Sequence, residues 1–335
     1  MRFAILGCGS IGQRHLRNLL AIGQSDIVAF DPTEEKRDEV KRLHDVSVVG
    51  TLEEVWELKP DVAFITSPSH LHLELSCEAA KLGCHLFIEK PLSDRLEGLD
   101  DLLNVVQEKG LVSMVGCNTR FHHGPSSIKR LLEQQAVGRV ISASLDAGQY
   151  LPDWQPGRDY RNRYSAHRSM GGGVLLDGIQ ELDYARWLFG EITEVFCHGG
   201  KLSSLEMDSE DSANILVKFD AGFSAVIHLD CVQRVYARSC KVIGEEGTIV
   251  WDMTATEQVR WFSAKDKEWR TIKQPEDYDI NDMYIEELRY FLECLEQRRI
   301  SEIDVTEGAQ LTRIALGARA SMETGEPVRF STLPA

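Results

Sequence analysis

Arg2-Phe3-Ala4-Ile5-Leu6-Gly7-Cys8-Gly9-Ser10-Ile11-Gly12 decides the fold of this chain. An apolar run suited to a strand passes straight into GxGxxG, and the spacing of apolar residues beyond it predicts a helix from about Ile11 to Ile22. Gly7 permits the tight turn, Gly9 lets a pyrophosphate approach the backbone, and Gly12 lets the helix pack closely on the sheet. The helix opens at Ser10 and Ile11, so its free amides and positive dipole end face the phosphates. Strand, turn and helix in that order open a dinucleotide-binding βαβ unit.

Outward from this unit, Asp26-Ile27-Val28-Ala29-Phe30 reads as a second strand ending at Asp31, 19 residues beyond Gly12. A carboxylate there accepts hydrogen bonds from ribose hydroxyls and repels a 2′-phosphate, which favours NAD over NADP. Lys36 and Arg37 pull the other way, and Asp31 can also cap the helix expected from Glu34 to Leu43. The alternation continues with a helix at Thr51 to Leu58, a strand at Asp61 to Thr66, and a turn, Ser67-Pro68-Ser69-His70, into a helix from Leu73 to Leu82. Ser67, Pro68 and His70 sit where a cofactor would be covered, although His70 and His72 can also be ordinary helix-start residues.

Cys84-His85-Leu86-Phe87-Ile88 then reads as a short buried strand, so Glu89 and Lys90 emerge at its carboxyl end, where open α/β sheets bind ligands. Pro91 restricts Lys90 to an extended backbone. A surface salt pair is the bland alternative. A helix from Asp94 to Glu108 and a strand from Leu111 to Val115 follow. Repeated units of this length predict a doubly wound parallel sheet with helices on both faces.

Composition narrows the function further. The 335 residues allow two domains, and 43% hydrophobic with 27% charged residues is ordinary for a soluble globular protein. A formal charge of -16 argues against nucleic acid and anionic membrane as partners, since both need a basic face. No apolar run is long enough to span a bilayer and the chain starts on a strand, so cytoplasmic residence is expected. The eight cysteines lack CxxC or zinc spacing and read as buried thiols, with no metal site expected.

The second half has a different rhythm. A helix from Pro125 to Gln135 leads to a strand at Gly138 to Leu145. A long polar connection carrying Tyr150, Trp154, Arg158, Arg161, Arg163, Tyr164 and Arg168 follows. Long irregular loops are often functional, and arginines can grip carboxylate or phosphate, so Tyr150, Trp154, Arg161, Arg163 and Tyr164 are candidate substrate contacts. The same arginines can instead neutralise acids nearby. Gly171-Gly172-Gly173 delivers the chain into an amphipathic helix that Gly190 ends. Alternating runs at Val195 to Lys201, Ser212 to Phe219, Phe223 to Cys231, Ala237 to Gly244, Thr248 to Asp252 and Val259 to Phe262 predict a mostly antiparallel open sheet with helices on one face. Helices at Asp282 to Gln297 and Thr306 to Thr324 are expected to cover that sheet, and Pro327 to Phe330 closes the chain as a short strand. The other face is free to make a homodimer or homotetramer.

Four blocks, GCGSIGQRH from Gly7, TSPSHLH from Thr66, EKPL from Glu89 and GCNTRF from Gly116, together resemble the Gfo/Idh/MocA family of NAD(P)-dependent oxidoreductases, including its sugar-biosynthesis members. The resemblance implies a Rossmann domain over residues 1–121 and a substrate-binding and oligomerisation domain over 122–335. It implies that Lys90 acts on the substrate beside the nicotinamide, and it adds Asn118 and Glu89 to the cofactor contacts. It also points to Asp177 as a catalytic and substrate-binding residue. One family feature is missing: a histidine is expected after the glycines, and Gln180 stands in its place. An amide cannot exchange a proton near neutral pH, so Gln180 can orient a substrate oxygen while proton transfer falls to Lys90, with Asp177 or Tyr164 behind it. The expected activity is hydride transfer between nicotinamide and a secondary alcohol or ketone. The substrate class is a sugar, an anionic or nucleotide-linked sugar derivative, or a cyclitol, lying between the second sheet and the nicotinamide. The alternative is a non-catalytic NAD-dependent sensor on the same scaffold, and a lyase or glycosidase-type reaction that recycles the cofactor is a third reading.

Overall fold

The computed structural model describes residues 1–255 and 258–330. Its described residues divide into two compact units, one built from 1–118 and 281–312, the other from 119–280 and the residues after 312.

The first unit contains β1 (Phe3–Leu6), α1 (Ser10–Ala21), β2 (Ile27–Phe30), α2 (Glu34–Leu43), β3 (Ser47–Val49), α3 (Leu52–Glu57), β4 (Val62–Ile65), α4 (His72–Leu82), β5 (His85–Glu89), α5 (Leu99–Lys109) and β6 (Ser113–Gly116). The strands form one parallel sheet in the order β3-β2-β1-β4-β5-β6. The winding reverses between β1 and β4, which opens a crevice at the carboxyl ends of those strands. β1 and β4 are buried along their whole length, as strands covered on both faces must be. The helix expected from Asp94 starts only at Leu99, because Gly98 takes a left-handed conformation (φ 87°) that a helix interior does not accept.

The second unit contains α6 (His123–Glu133), β7 (Val140–Gly148), α7 (Val174–Asp177), α8 (Ile179–Phe189), β8 (Ile192–Gly200), β9 (Ser212–Phe219), β10 (Ser224–Asp230), β11 (Ala237–Gly244), β12 (Gly247–Asp252), β13 (Val259–Ser263) and β14 (Glu268–Ile272). After these come α9 (Asp282–Gln297), which belongs to the first unit, α10 (Val305–Thr324) and β15 (Val328–Arg329). The nine-stranded sheet runs β14-β13-β12-β11-β7-β10-β9-β8-β15 and is antiparallel except between β7 and β10. Strict alternation in β9 shows its two faces: Ala213, Ile215, Val217 and Phe219 are buried, whereas Asn214, Leu216 and Lys218 are exposed. The helix expected after the glycines is broken at Gly178 into α7 and α8.

Helix α9 corrects an expectation. It does not cover the second sheet. Phe291 packs edge-on against Phe64 and Phe87, with ring centroids 5.9 and 5.4 Å apart, and Asn281 exchanges amide hydrogen bonds with Asn18 of α1. Its apolar stripe fits the aromatic cluster beside β4 and β5, a match that amphipathic spacing alone cannot assign to one sheet.

Candidate active site

In the first unit every expected cofactor residue follows the carboxyl end of a parallel strand. Gly7–Gly12 follow β1, Asp31 follows β2, Ser67, Pro68 and His70 follow β4, Glu89 is the last residue of β5 with Lys90 directly after it, and Asn118 follows β6. Parallel pairing places all of them along one edge of the sheet. The fingerprint glycines behave as their spacing requires. Gly7 has φ 115°, and a Cβ there would lie 2.7 Å from the Thr66 carbonyl oxygen; a Cβ on Gly12 would run into the carbonyl oxygen of Gly7. A Cβ on Gly9 would meet nothing within 4 Å beyond its own chain neighbours. The crowding holds the turn on the sheet, and the open flank of Gly9 is where a phosphate can approach.

The surroundings suit a dinucleotide in other ways. The N-cap of α1 is Gly9, which makes no side-chain cap bond, and a helix N-terminus with its positive dipole end favours an anion there. The buried Asp31 carboxylate accepts from the Cys8 amide at 2.9 Å and the Thr33 amide at 2.9 Å, and pairs with Lys36 at 3.4 Å. It therefore ties the fingerprint turn to β2 and steadies the turn ahead of α2, whose N-cap Thr33 has no side-chain cap bond, so the expected capping of that helix by Asp31 is not seen. Arg37 donates to the carbonyls of Asp31 and Pro32 at 2.8 and 2.9 Å, which keeps it on the main chain. Burial, with Asp31 beside it, pushes the Cys8 thiol up to about 12, so this cysteine is inert at neutral pH. Asn118 Oδ1 and His70 Nδ1 are buried and have no partner among the described residues, which leaves both able to bind a ligand group.

At the end of β5, Glu89 is turned inward and held by His15 of α1, Nε2 to Oε1 at 2.6 Å, while its other oxygen accepts the Lys90 amide at 3.2 Å. Glu89 thus orients the Lys90 main chain. His15 is wholly buried between Phe87 and Tyr284. The Lys90–Pro91 peptide is cis.

In the second unit Gln180 is clamped rather than free. Its Oε1 accepts from the Thr119 amide at 3.1 Å and also from the Thr119 hydroxyl. Because the Thr119 N–H can only donate, the amide orientation is fixed with its oxygen toward Thr119. What Gln180 has left to offer is N–H. Tyr164 donates to Asp177 Oδ1 at 2.8 Å, and burial pushes its phenol well above the ordinary value, with Asp177 adding to the shift. Tyr164 is a fixed donor and not a base. Asp183 forms a two-pronged pair with Arg120, at 2.8 and 2.6 Å, with both groups buried. Glu181 pairs with Arg238 at 2.7 Å. Helix α8 is therefore anchored through three polar residues of its first turns, Gln180, Glu181 and Asp183.

The arginine-rich loop folds as a run of single 3₁₀ turns. Arg161 pairs with Asp159 at 2.8 Å and Glu206 at 3.3 Å, and Arg168 pairs with Glu323. Arg163 lies 5.7 Å from the Trp154 ring, and Trp154 donates to the Gln149 carbonyl at 2.8 Å. Arg234 stacks over Tyr150 at 3.7 Å, a contact between residues 84 apart that no local pattern announces.

Residues 1–117 match the model for the oxidoreductase family with an NAD-binding Rossmann fold, and residues 126–250 match the GFO/IDH/MocA C-terminal domain. The chain belongs to the GFO/IDH/MocA family. It is an NAD-binding oxidoreductase with the family's two domains in the family's order. It is 26% identical to the scyllo-inositol 2-dehydrogenase (NAD(+)) of Bacillus subtilis, over 98% of this chain and 96% of that one. It is 27% identical to the myo-inositol 2-dehydrogenase of Thermotoga maritima, over 98% of each. A levoglucosan dehydrogenase solved in complex with NADH shares the fold at a TM-score of 0.90, with 20% identity, over 99% of this chain and 100% of that one.

Proposed function

We propose that this GFO/IDH/MocA protein is an NAD-dependent dehydrogenase acting on a secondary hydroxyl or ketone of a sugar, sugar derivative or cyclitol. The carrying observation is Lys90, set at the carboxyl end of β5 on the strand edge that holds the dinucleotide fingerprint. Full-length similarity to inositol dehydrogenases supports the substrate class. Gly7 to Gly12 with the α1 amides hold the pyrophosphate, and Asp31 faces the adenosine ribose. Bound NAD supplies the hydride acceptor. Lys90 polarises the reacting oxygen, gives it a proton in reduction and takes one in oxidation. Gln180 donates a hydrogen bond to substrate, and the Tyr164–Asp177 pair binds a neighbouring hydroxyl. Two of the loop arginines are already matched by acids, which favours an uncharged sugar or cyclitol over an anionic or nucleotide-linked one.

Residues 1–121, with the segment 281–312 that packs into the same unit, serve the cofactor, and the rest of 122–335 serves substrate binding and assembly, with two or four copies joined through the open face of the second sheet. Among the described residues no helix is long and apolar enough to cross a membrane. The eight unbridged thiols suit a reducing compartment, so we place the protein in the cytoplasm.

The test is turnover on a panel of cyclitols and of free and nucleotide-linked sugars with both cofactors, followed by the absorbance of the reduced nicotinamide. Lys90→Met should lower kcat by roughly 10²–10⁴ on the best substrate while NADH affinity stays near wild type. Near-wild-type turnover in that variant would remove Lys90 from its role.

A further inference from the structure

We propose that His72 is the positioning residue that ties the turn after β4 to the Lys90–Pro91 segment after β5, and that it does so as an imidazolium. This rests on the assignment of Lys90 given above.

His72 opens α4 and is buried. Its ring lies between two main-chain carbonyls: Nδ1 is 2.7 Å from the oxygen of Pro91, and Nε2 is 2.8 Å from the oxygen of Ser67. A carbonyl oxygen only accepts, so each contact at that length requires an N–H on the ring. Neutral imidazole has one N–H. In either neutral tautomer the other nitrogen would aim its lone pair at a carbonyl oxygen, and only the cation satisfies both contacts. Burial is the largest influence on the ring and, with Lys90, lowers its pKa below the ordinary histidine value, against the opposite pull of the two carbonyls and Glu89. We side with the cation because two short contacts to acceptors leave no place for a lone pair.

The position of the tie gives it a purpose. Pro91 has no N–H, so the residue after Lys90 can be held to the main-chain network only through its carbonyl. His72 holds that carbonyl. The other end of the tie is Ser67, the first residue of the turn that carries Pro68 and His70. Strands β4 and β5 are neighbours in the sheet, so one ring can span the two segments that follow them. The Lys90 amide is bonded to the Glu89 carboxylate, so the segment is fixed on both sides of the lysine. A reactive side chain displaced by about 1 Å can lose roughly 10²-fold in rate, and this tie holds Lys90 against such a displacement.

The first experiment labels the histidines of the wild-type protein with ¹⁵N, loads it with NAD, and assigns His72 by the signals lost in His72→Gln. Protons on both ring nitrogens are expected; one protonated and one bare nitrogen would overturn the proposal. The second compares His72→Gln and His72→Ala. In the alanine variant kcat should fall by roughly 10²-fold while NAD affinity changes far less. Glutamine, which can still reach one carbonyl, should recover part of the loss. Unchanged kcat, or equal losses of kcat and NAD affinity, would reduce His72 to packing and overturn the positioning role. If neither variant folds, His72 is assigned in the wild-type spectrum by through-bond correlations to its own main chain, and that spectrum decides. If Lys90→Met keeps its turnover, the assignment of Lys90 fails while the two-proton tie is still scored by the spectrum.

Discussion

Gly9 and Gly12 stand three residues apart and respond to an added methyl group in opposite ways. Gly9 has φ -69° and ψ -172°, a backbone any residue adopts, and no protein atom lies near its missing Cβ. Gly9→Ala should therefore keep the wild-type melting temperature without ligand and lose its rise on adding NAD. Gly12→Ala would drive a methyl into the Gly7 carbonyl and should melt early with or without NAD, at a cost of about 1–3 kcal/mol. Gln180 allows a cleaner test of chemistry. Gln180→Glu keeps an oxygen for Thr119 and removes the N–H donor, so kcat/KM should fall about tenfold or more while NAD affinity holds. Unchanged kcat/KM would show that the amide touches no substrate. The glycines, Asp31 and Lys90 were legible because their meaning lies in local order: a strand, then a turn residue. His15 and Thr119 were not read as site residues, and His72 was weighed only as a cofactor cover or an ordinary helix-start residue. The partner of His15 lies 74 residues away and that of Thr119 lies 61 residues away, and no local pattern records such a pairing.

His122 shows what an element end can hide. Its Nδ1 accepts from the Gly124 amide at 3.0 Å and so caps α6, and its ring packs beside Trp251 and Tyr278. Burial, with Arg238 and His123 adding to it, lowers this histidine to about 4. The unfolded chain takes up the same proton near 6.5, so between those values the unfolded state binds more protons and acid favours unfolding. The stabilisation is complete above about pH 6.5 and drains away as the pH falls through about 4. His122→Asn keeps a cap acceptor and does not titrate. Compared at pH 7 and 4.5 by chemical denaturation, the wild type should lose roughly 2 kcal/mol more than the variant; equal losses would mean His122 is protonated without cost. Other elements escaped the sequence for plain reasons. Strand β14 is exposed along nearly all its length and shows no alternation, β3 has three residues, and the break at Gly178 falls inside a continuous amphipathic pattern. Strands such as β9 and β11 were legible to the residue because one buried face imposes a period of two.

At the scale of the whole molecule, the apolar outer row of the second sheet asks for a partner. Phe196 of β8, Leu216 of β9 and Val226 of β10 are direct cross-strand neighbours, and Leu216 and Val226 are each 47% exposed. Alternation puts them on the face opposite the buried Ile215 and Val217, and Ile243 of β11 adds to the same face. A single exposed leucine is ordinary, but an apolar row continuing across neighbouring strands marks a contact surface. A twofold contact would use the same row on both copies, so one substitution enters the interface twice. Leu216→Lys with Val226→Lys places like charges directly opposite each other on neighbouring strands as well as across such an interface. A control with Thr at both positions keeps side chains that suit a strand and carries no charge. Sedimentation should give a dimer or tetramer for the wild type, a monomer for the double lysine variant, and a concentration-dependent mixture for the threonine control. Melting curves must accompany these runs, since unfolding would also disperse the assembly. A folded double lysine variant that sediments like the wild type would place assembly on another surface and leave this row uncovered.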